Sequence, residues 1–126
     1  MFRRIDHVEI VPSDFERSIE FYTEMLGFSV RERLTIDRPP LRDIAFLKLG
    51  DTVLELLDIE GVTALVGEGP RVGYRMMALE VESMDEALAY LSGKGIEPSM
   101  PPFPSGSGFR AEIQDPDGLP IEIRQW

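Results

Sequence analysis

An internal repeat constrains the fold more than any other feature of the 126-residue sequence, because the element order β-α-β-β-β is predicted twice. The first copy, 1–60, opens with an apolar-rich run at 5–11 that predicts a strand, and an amphipathic helix follows. The second copy, 73–126, opens with a predicted strand at 74–81 and also continues into a helix. The glycine-rich segment between them, 61–72, is predicted to be a linker.

Capping and turn residues define the other elements. Ser13 and Ser83 each precede a glutamate by three positions, a capping-box spacing that predicts both helix starts. The remaining predicted strands are 28–36, 43–49, 52–59, 96–99, 109–114 and 119–125. Segment 100–108 contains three prolines and two glycines, and we expect a loop there, either a lid over a substrate or an ordinary surface loop.

The repeated unit predicts an α+β fold in a single domain, 1–126. Each module is expected to form a twisted four-stranded sheet with its helix on one face. We expect the two sheets to form a cupped eight-stranded mixed sheet with the helices on its outer face, so that the free faces enclose a shared concavity.

The charge balance limits the partners of the chain. Its 13 basic and 23 acidic residues give a formal net charge of −10, and a surface of this sign repels nucleic-acid backbones and anionic lipids. Cysteine is absent, which excludes disulfides and thiolate metal sites. No apolar run approaches the roughly 20 residues that cross a bilayer, so we predict a cytoplasmic protein without nucleic-acid or membrane partners.

Four positions are candidates for a functional site. Strand alternation places the side chains of His7, Glu55 and Glu122 on the face opposite the apolar residues that are expected to pack inward, under the helices. Glu55 and Glu122 are separated by 67 positions, and the counterpart of His7, 69 positions on, is Met76. One imidazole and two carboxylates suit a divalent metal ion. Solvated carboxylates, a structural histidine and a methionine that fills the core are the alternative interpretation.

Three stretches carry a resemblance to a known family: IDHVEIVPSDFERSIEFYTEMLGFSV at 5–30, DTVLELLD at 51–58 and DPDGLPIEI at 115–123. They resemble the opening strand and helix, the fourth strand, and the closing turn and strand of the vicinal oxygen chelate superfamily. Its members include glyoxalase I, methylmalonyl-CoA epimerase, extradiol dioxygenases and antibiotic-resistance binding proteins. The resemblance covers nearly the whole chain and implies the tandem fold predicted above.

The resemblance also implies a metal site with one ligand from the first and last strand of each module. The corresponding positions are His7, Glu55, Met76 and Glu122. The family normally has histidine at position 76, and a thioether is a poor ligand for the expected ions, Ni, Co, Zn, Mn or Fe. This difference argues against the dioxygenases and fosfomycin-modifying enzymes, which use two histidines. The pattern is most similar to glyoxalase I with one ligand lost.

The activity implied by the resemblance is that of a metal-dependent lyase or isomerase, similar to lactoylglutathione lyase. Such an enzyme acts by proton transfer next to a metal-bound carbonyl, and Glu122 and Glu55 are the candidate catalytic bases. The alternative is a metal-free protein that binds or sequesters a small molecule, as the resistance members do. Met76 favours this alternative, and metal binding discriminates between the two.

The substrate end of the site is predicted from side-chain type. Phe103 and Phe109 could line an apolar mouth, and Met76 would make the cavity more apolar. Arg110 is a candidate partner for a carboxylate on a small-molecule substrate. The resemblance further implies a homodimer, with the cavity either within one chain or across the dimer.

Overall fold

The structure, a computed structural model, divides into two units, Met1–Ala64 and Leu65–Trp126. It describes four stretches of the chain: 1–65, 67, 69 and 72–126. The predicted linker, 61–72, spans the boundary between the units, and four of its residues lie outside the described stretches. Each unit contains one four-stranded mixed sheet and one α-helix, so the predicted α+β class and the repeated β-α-β-β-β order are confirmed. Within the described stretches, no helix is long and apolar enough to cross a membrane.

The first unit has the strand order β1-β4-β3-β2. Its elements are β1 (Val8–Ile10), α1 (Phe15–Glu20) continued by a π-helical segment (Phe21–Met25), β2 (Ser29–Arg38), β3 (Leu41–Leu49) and β4 (Thr52–Ile59). Strand β1 runs parallel to β4, and the other neighbours are antiparallel. Because β1 is shorter than the predicted run 5–11, His7 lies just before its first residue.

Helix α1 begins one residue later than predicted. Asp14, not Ser13, is the N-cap residue, since its backbone is extended and its carboxylate accepts a hydrogen bond of 3.0 Å from the Arg17 amide. Aspartate caps a helix as well as serine does, and here it satisfies an amide that the first turn leaves unpaired. Gly27 ends the helical segment as predicted, at a φ of 82° that costs glycine little.

The first sheet buries one face against α1, and its other face carries Glu55 among apolar neighbours such as Phe46 on β3. Leu54 and Leu56 on β4 are buried, and α1, whose Phe15 and Ile19 are buried, contacts this strand. Glu55 lies between the two leucines and therefore points to the opposite face. The predicted alternation is confirmed, and it determines which face of the sheet can carry chemistry.

The second unit has the strand order β5-β8-β7-β6, with β5 parallel to β8. Its elements are β5 (Met77–Glu80), α2 (Met84–Gly93), β6 (Met100–Ser105), β7 (Gly108–Gln114) and β8 (Pro120–Gln125). Ser83 caps α2 as predicted, accepting a hydrogen bond of 3.3 Å from the Glu86 amide. Helix α2 contacts β8, whose Ile121 and Ile123 are buried, so Glu122 lies on the face away from the helix.

The structure corrects the prediction for 96–108. In place of a strand at 96–99 and a loop at 100–108, strand β6 covers Met100–Ser105 and pairs antiparallel with β7. Its three prolines are tolerated because β6 is an edge strand, where a missing N–H need not interrupt the hydrogen-bonded ladder. The paired residues therefore form the edge of a sheet rather than a lid.

The two sheets have the same register between their first and last strands. Glu9 on β1 lies beside Glu55 on β4, and Ala78 on β5 lies beside Glu122 on β8. Glu9 and Ala78 are 69 positions apart, and Glu55 and Glu122 are 67 apart. These offsets are the ones predicted from the sequence repeat, so each residue of one parallel pair has a defined counterpart in the other.

Candidate functional site

In the first unit, His7 contacts the carboxylate of Glu55. The Nε2 atom of His7 is 2.8 Å from Oε2 of Glu55. Glu55 lies on the central strand β4 and is only 6% exposed, whereas His7 is at the exposed edge of the sheet, just before β1. Two of the ligand positions predicted from the sequence are therefore in direct contact.

Glu9 adds a third group of the ligand type, which was missed from the sequence. Its Oε1 atom is 3.4 Å from Nε2 of His7, and it lies beside Glu55 in the parallel pair. One ligand atom from each of His7, Glu9 and Glu55 lies within 4.8 Å of the other two. These three residues, called the His7 cluster below, could hold a metal ion. Alternation was the available signal, because Glu9 follows His7 by two residues and so shares its face.

Asp6 contacts the other nitrogen of the imidazole. Its Oδ2 atom is 3.1 Å from Nδ1 of His7, and its Oδ1 atom accepts a hydrogen bond of 2.9 Å from Arg4. The hydrogen bond with Asp6 is the main cause that raises the pKa of His7; partial desolvation opposes it and the charge of Glu55 adds to it. A carboxylate on the second nitrogen is the usual support of a metal-binding histidine, because it orients the ring and selects the tautomer.

Burial raises the pKa of Glu55, because the charged form loses solvation. The charge of His7 opposes this increase, and the charges of Glu9 and Asp6 add to it. Three carboxylates therefore surround one imidazole. A divalent cation in the His7 cluster would neutralise this excess of negative charge.

In the second unit, Glu122 is paired with an arginine. It lies between Ala78 on β5 and Glu112 on β7. The Nη2 atom of Arg110 is 3.2 Å from Glu122 and 2.5 Å from Glu112, and Arg75 is 3.4 Å from Glu112. Arg110, predicted to meet a substrate carboxylate, therefore binds carboxylates of its own chain. Glu112, only 7% exposed, was missed from the sequence, because its proximity to Glu122 depends on the β7–β8 register.

Met76 lies just before β5 and is half-buried. Its Sδ atom is 3.2 Å from Nη1 of Arg75. A thioether is a weak acceptor and a soft ligand, so position 76 contributes no hard ligand to the second unit. The four predicted positions are divided between the units, His7 and Glu55 in the first, Met76 and Glu122 in the second.

Phe103 and Phe109 lie on opposite faces of the second sheet. Phe103 is the cross-strand neighbour of Arg110, and its ring centroid is 5.6 Å from the guanidinium carbon, a cation–π contact. Phe109 precedes Arg110 along β7, so alternation turns it to the other face, where it is exposed. The structure therefore groups Phe103 with Arg110 and Glu122 and separates Phe109 from them.

Several known proteins are similar to this chain. Residues 4–123 match the family model of the Glyoxalase/Bleomycin resistance protein/Dioxygenase superfamily. A lactoylglutathione lyase of Salmonella typhimurium is 30% identical over 128 residues, which cover 95% of this chain and 90% of that protein. The uncharacterized protein YwkD of Bacillus subtilis is 30% identical over 125 residues, covering 98% and 97%. The crystal structure of a glyoxalase family protein from Enterococcus faecalis has a TM-score of 0.83 and 32% identity and covers 97% of each chain.

Proposed function

The chain belongs to the Glyoxalase/Bleomycin resistance protein/Dioxygenase superfamily, and on that premise we propose that it is a metal-dependent lyase or isomerase. The proposed reaction is proton transfer beside a carbonyl of a small-molecule substrate, similar to the reaction of lactoylglutathione lyase. The observation that carries the proposal is the 2.8 Å contact between Nε2 of His7 and the buried carboxylate of Glu55.

The atoms at this contact suit a divalent ion such as Ni, Co, Zn, Mn or Fe. An imidazole nitrogen and a carboxylate oxygen are ligands that these ions accept. Burial makes the charge of Glu55 costly, and a bound cation reduces that cost while it competes with protons for the same atoms. Asp6 occupies Nδ1 of His7, which leaves Nε2 directed at Glu55.

The proposed roles of the side chains follow from their chemistry. A divalent ion, when bound, polarises the substrate carbonyl and acidifies the neighbouring C–H group. His7 and Glu55 hold the ion in this proposal, and Glu122 is a predicted further ligand. A carboxylate oxygen of Glu122 or Glu55 accepts the proton from carbon and returns it to the adjacent carbon or to the opposite face. For Glu122, this role requires that Arg110, now 3.2 Å away, release the carboxylate.

An isomerisation assay tests the proposed reaction. The full chain is loaded in turn with Ni²⁺, Co²⁺, Zn²⁺, Mn²⁺ and Fe²⁺ and given a hemithioacetal, and formation of the isomeric thioester is followed by absorbance. We expect turnover with at least one ion and a loss of about 100-fold or more in Glu122→Gln. Glu24→Gln, on the exposed side of the segment after α1, is the control and should match the wild type. No turnover with any of the ions would contradict the proposed reaction.

A metal-free binding protein is the second candidate function, and two observations favour it. Met76 stands where the resemblance implies a histidine, and Arg110 neutralises Glu122. Phe103 and Arg110, in cation–π contact, would then bind the ligand. Equilibrium dialysis discriminates between the two functions: a small molecule that binds chelator-treated and metal-loaded protein equally well favours the second.

We further propose that the protein is a cytoplasmic homodimer. The resemblance implies a homodimer, which light scattering of the full chain tests directly. The cytoplasmic location and the lack of nucleic-acid partners were predicted from composition and the net charge of −10. Fractionation of the source cells and a nucleic-acid binding assay at low salt test these two predictions.

A further inference from the structure

We propose that Glu9 is a third ligand of the same ion, so that the His7 cluster supplies three of its ligands from one unit. This inference rests on the proposed function, because it assumes that His7 and Glu55 hold a divalent ion. It assigns a role to a residue that neither the sequence repeat nor the resemblance singles out. It also means that metal binding does not require a histidine at position 76.

The backbone places the three side chains at the corners of a triangle on one face of the first sheet. His7 and Glu9 are two residues apart, about 7 Å along the chain, and Glu55 is beside Glu9 on the next strand, about 5 Å away. Nε2 of His7 is 3.4 Å from Oε1 of Glu9 and 2.8 Å from Oε2 of Glu55. Ligand atoms bonded to one ion at about 2.0–2.2 Å lie roughly 3–3.6 Å apart. The observed spacings therefore suit a common ion.

The charge of the cluster supports the same assignment. Glu9 and Glu55 are direct neighbours on adjacent strands, where two like charges destabilise a sheet. The His7 imidazole is near both carboxylates, and it supplies at most one positive charge. Two carboxylates beside a neutral imidazole require two positive charges, and one divalent ion supplies both.

The second sheet balances its central carboxylate with a cation of its own. The counterpart of Glu9 there is Ala78, and Glu122 has Arg110 at 3.2 Å. In the part of the chain that the structure describes, no arginine or lysine forms an ion pair with Glu9 or Glu55. Each sheet has two neighbouring carboxylates, Glu9 and Glu55 in the first and Glu112 and Glu122 in the second. Among the described residues, only the second pair has an arginine in contact with it, so the first pair has the composition expected of a site for an external cation.

The exposure of Glu9 suits a ligand that closes the site from the solvent side. Its side chain is 54% exposed, so it can rotate onto an ion without disturbing the core. Glu55 provides the buried ligand, and the side-chain exposure of His7, 35%, lies between those of Glu55 and Glu9. Two carboxylate oxygens and one imidazole nitrogen form a hard to borderline set, which favours Mn²⁺, Fe²⁺, Co²⁺ or Zn²⁺ over soft ions.

Cobalt titration of the full chain tests the role of Glu9. Co²⁺ is added to the wild type, Glu9→Gln, Glu9→Ala and the control Glu24→Gln, after circular dichroism has verified that each is folded. The Kd is measured by calorimetry, and the visible absorption of Co²⁺ reports its ligands. We expect both Glu9 variants to weaken binding about 10-fold or more and to change the spectrum, because water replaces a carboxylate. Glu24→Gln should match the wild type in both measurements.

Two results would overturn the inference, and they can be told apart. In the first, both Glu9 variants keep the wild-type Kd and spectrum while His7→Gln and Glu55→Gln lose binding. Glu9 is then not a ligand, and the proposed function stands. In the second, the His7 and Glu55 variants also bind Co²⁺ as the wild type does. The proposed metal site is then wrong, and the role of Glu9 falls with it.

Discussion

Glu55 and Glu122 occupy equivalent registers of the two four-stranded sheets, yet each carboxylate is paired with a different cation. Nε2 of His7 lies 2.8 Å from Glu55, and the guanidinium of Arg110 lies 3.2 Å from Glu122. A histidine can exchange its proton for a metal ion, whereas an arginine stays charged and offers no lone pair. We therefore expect the first unit to dominate metal binding.

Met76→His should raise metal affinity if the four positions implied by the resemblance serve one ion. An imidazole is a far better ligand than a thioether for Ni²⁺, Co²⁺ and Zn²⁺. We expect the Kd to fall about 10-fold or more, which corresponds to about 1.4 kcal/mol, as measured by calorimetry. Met77→His is the matched control, because Met77 is in β5 and alternation turns it to the other face. An equal gain in both variants, or none in either, would contradict the prediction.

Arg110→Gln should destabilise the protein. It leaves Glu112, 7% exposed, with the more distant Arg75 as its cation. Loss of one partner from a buried ion pair costs about 3 kcal/mol or more, which urea unfolding would measure. Arg42→Gln is the control, since its ion pair with Asp58 is exposed and such pairs contribute up to about 1 kcal/mol. Equal losses in the two variants would mean that Arg110 is not required to neutralise a buried charge.

His7 should titrate above the ordinary histidine range in the metal-free protein. Because the hydrogen bond with Asp6 is the main cause of the raised pKa, Asp6→Asn should lower the pKa of His7 towards about 6.5, as followed by NMR. A pKa that is raised on folding stabilises the folded state below the unfolded pKa, and this contribution is lost as pH rises through the folded pKa. The difference in unfolding free energy between wild type and Asp6→Asn should therefore be larger at pH 5 than at pH 9. The opposite order would refute this account of the His7–Asp6 pair.

Gly108, at the start of β7, lies against the backbone of β8. A Cβ atom there would be 1.8 Å from the carbonyl oxygen of Gln125, so Gly108→Ala must force the two chain segments apart. We expect a loss of about 1–3 kcal/mol in unfolding free energy. Gly93→Ala is the control, because a Cβ there meets nothing within 4 Å and alanine favours a helix. If the two variants unfold at the same urea concentration, the close approach of these strands is not as described.

Short-range patterns were sufficient to predict most of the fold. Apolar residues alternate around Glu55 and Glu122, and this alternation predicted the correct face for both. Gly27 and Ser83 marked a helix end and a helix start correctly, because capping depends on residues close in sequence. The offset between the two modules also followed from the repeat, since both sheets use one register.

Strand β6 and the contacts of Arg110 and Glu9 could not be predicted from the sequence, because they depend on how the strands pair. The prolines of β6 suggested a loop, because the edge position that tolerates them is a property of the assembled sheet. Arg110 was assigned to a substrate by residue type, yet its contacts with Glu112 and Glu122 arise from the pairing of β7 with β8. Glu9 was overlooked for a different reason: alternation placed it beside His7, but its contact with Glu55 required the β1–β4 register.

Metal content tests most directly the central claim that His7 and Glu55 hold a divalent ion. The full chain is purified without chelator and its metals are measured by elemental analysis, with His7→Gln, Glu55→Gln and the control Glu24→Gln in parallel. We predict stoichiometric divalent metal in the wild type and in Glu24→Gln, and a large loss in the two ligand variants. Substoichiometric metal in the wild type that stays unchanged in Glu55→Gln would contradict the claim.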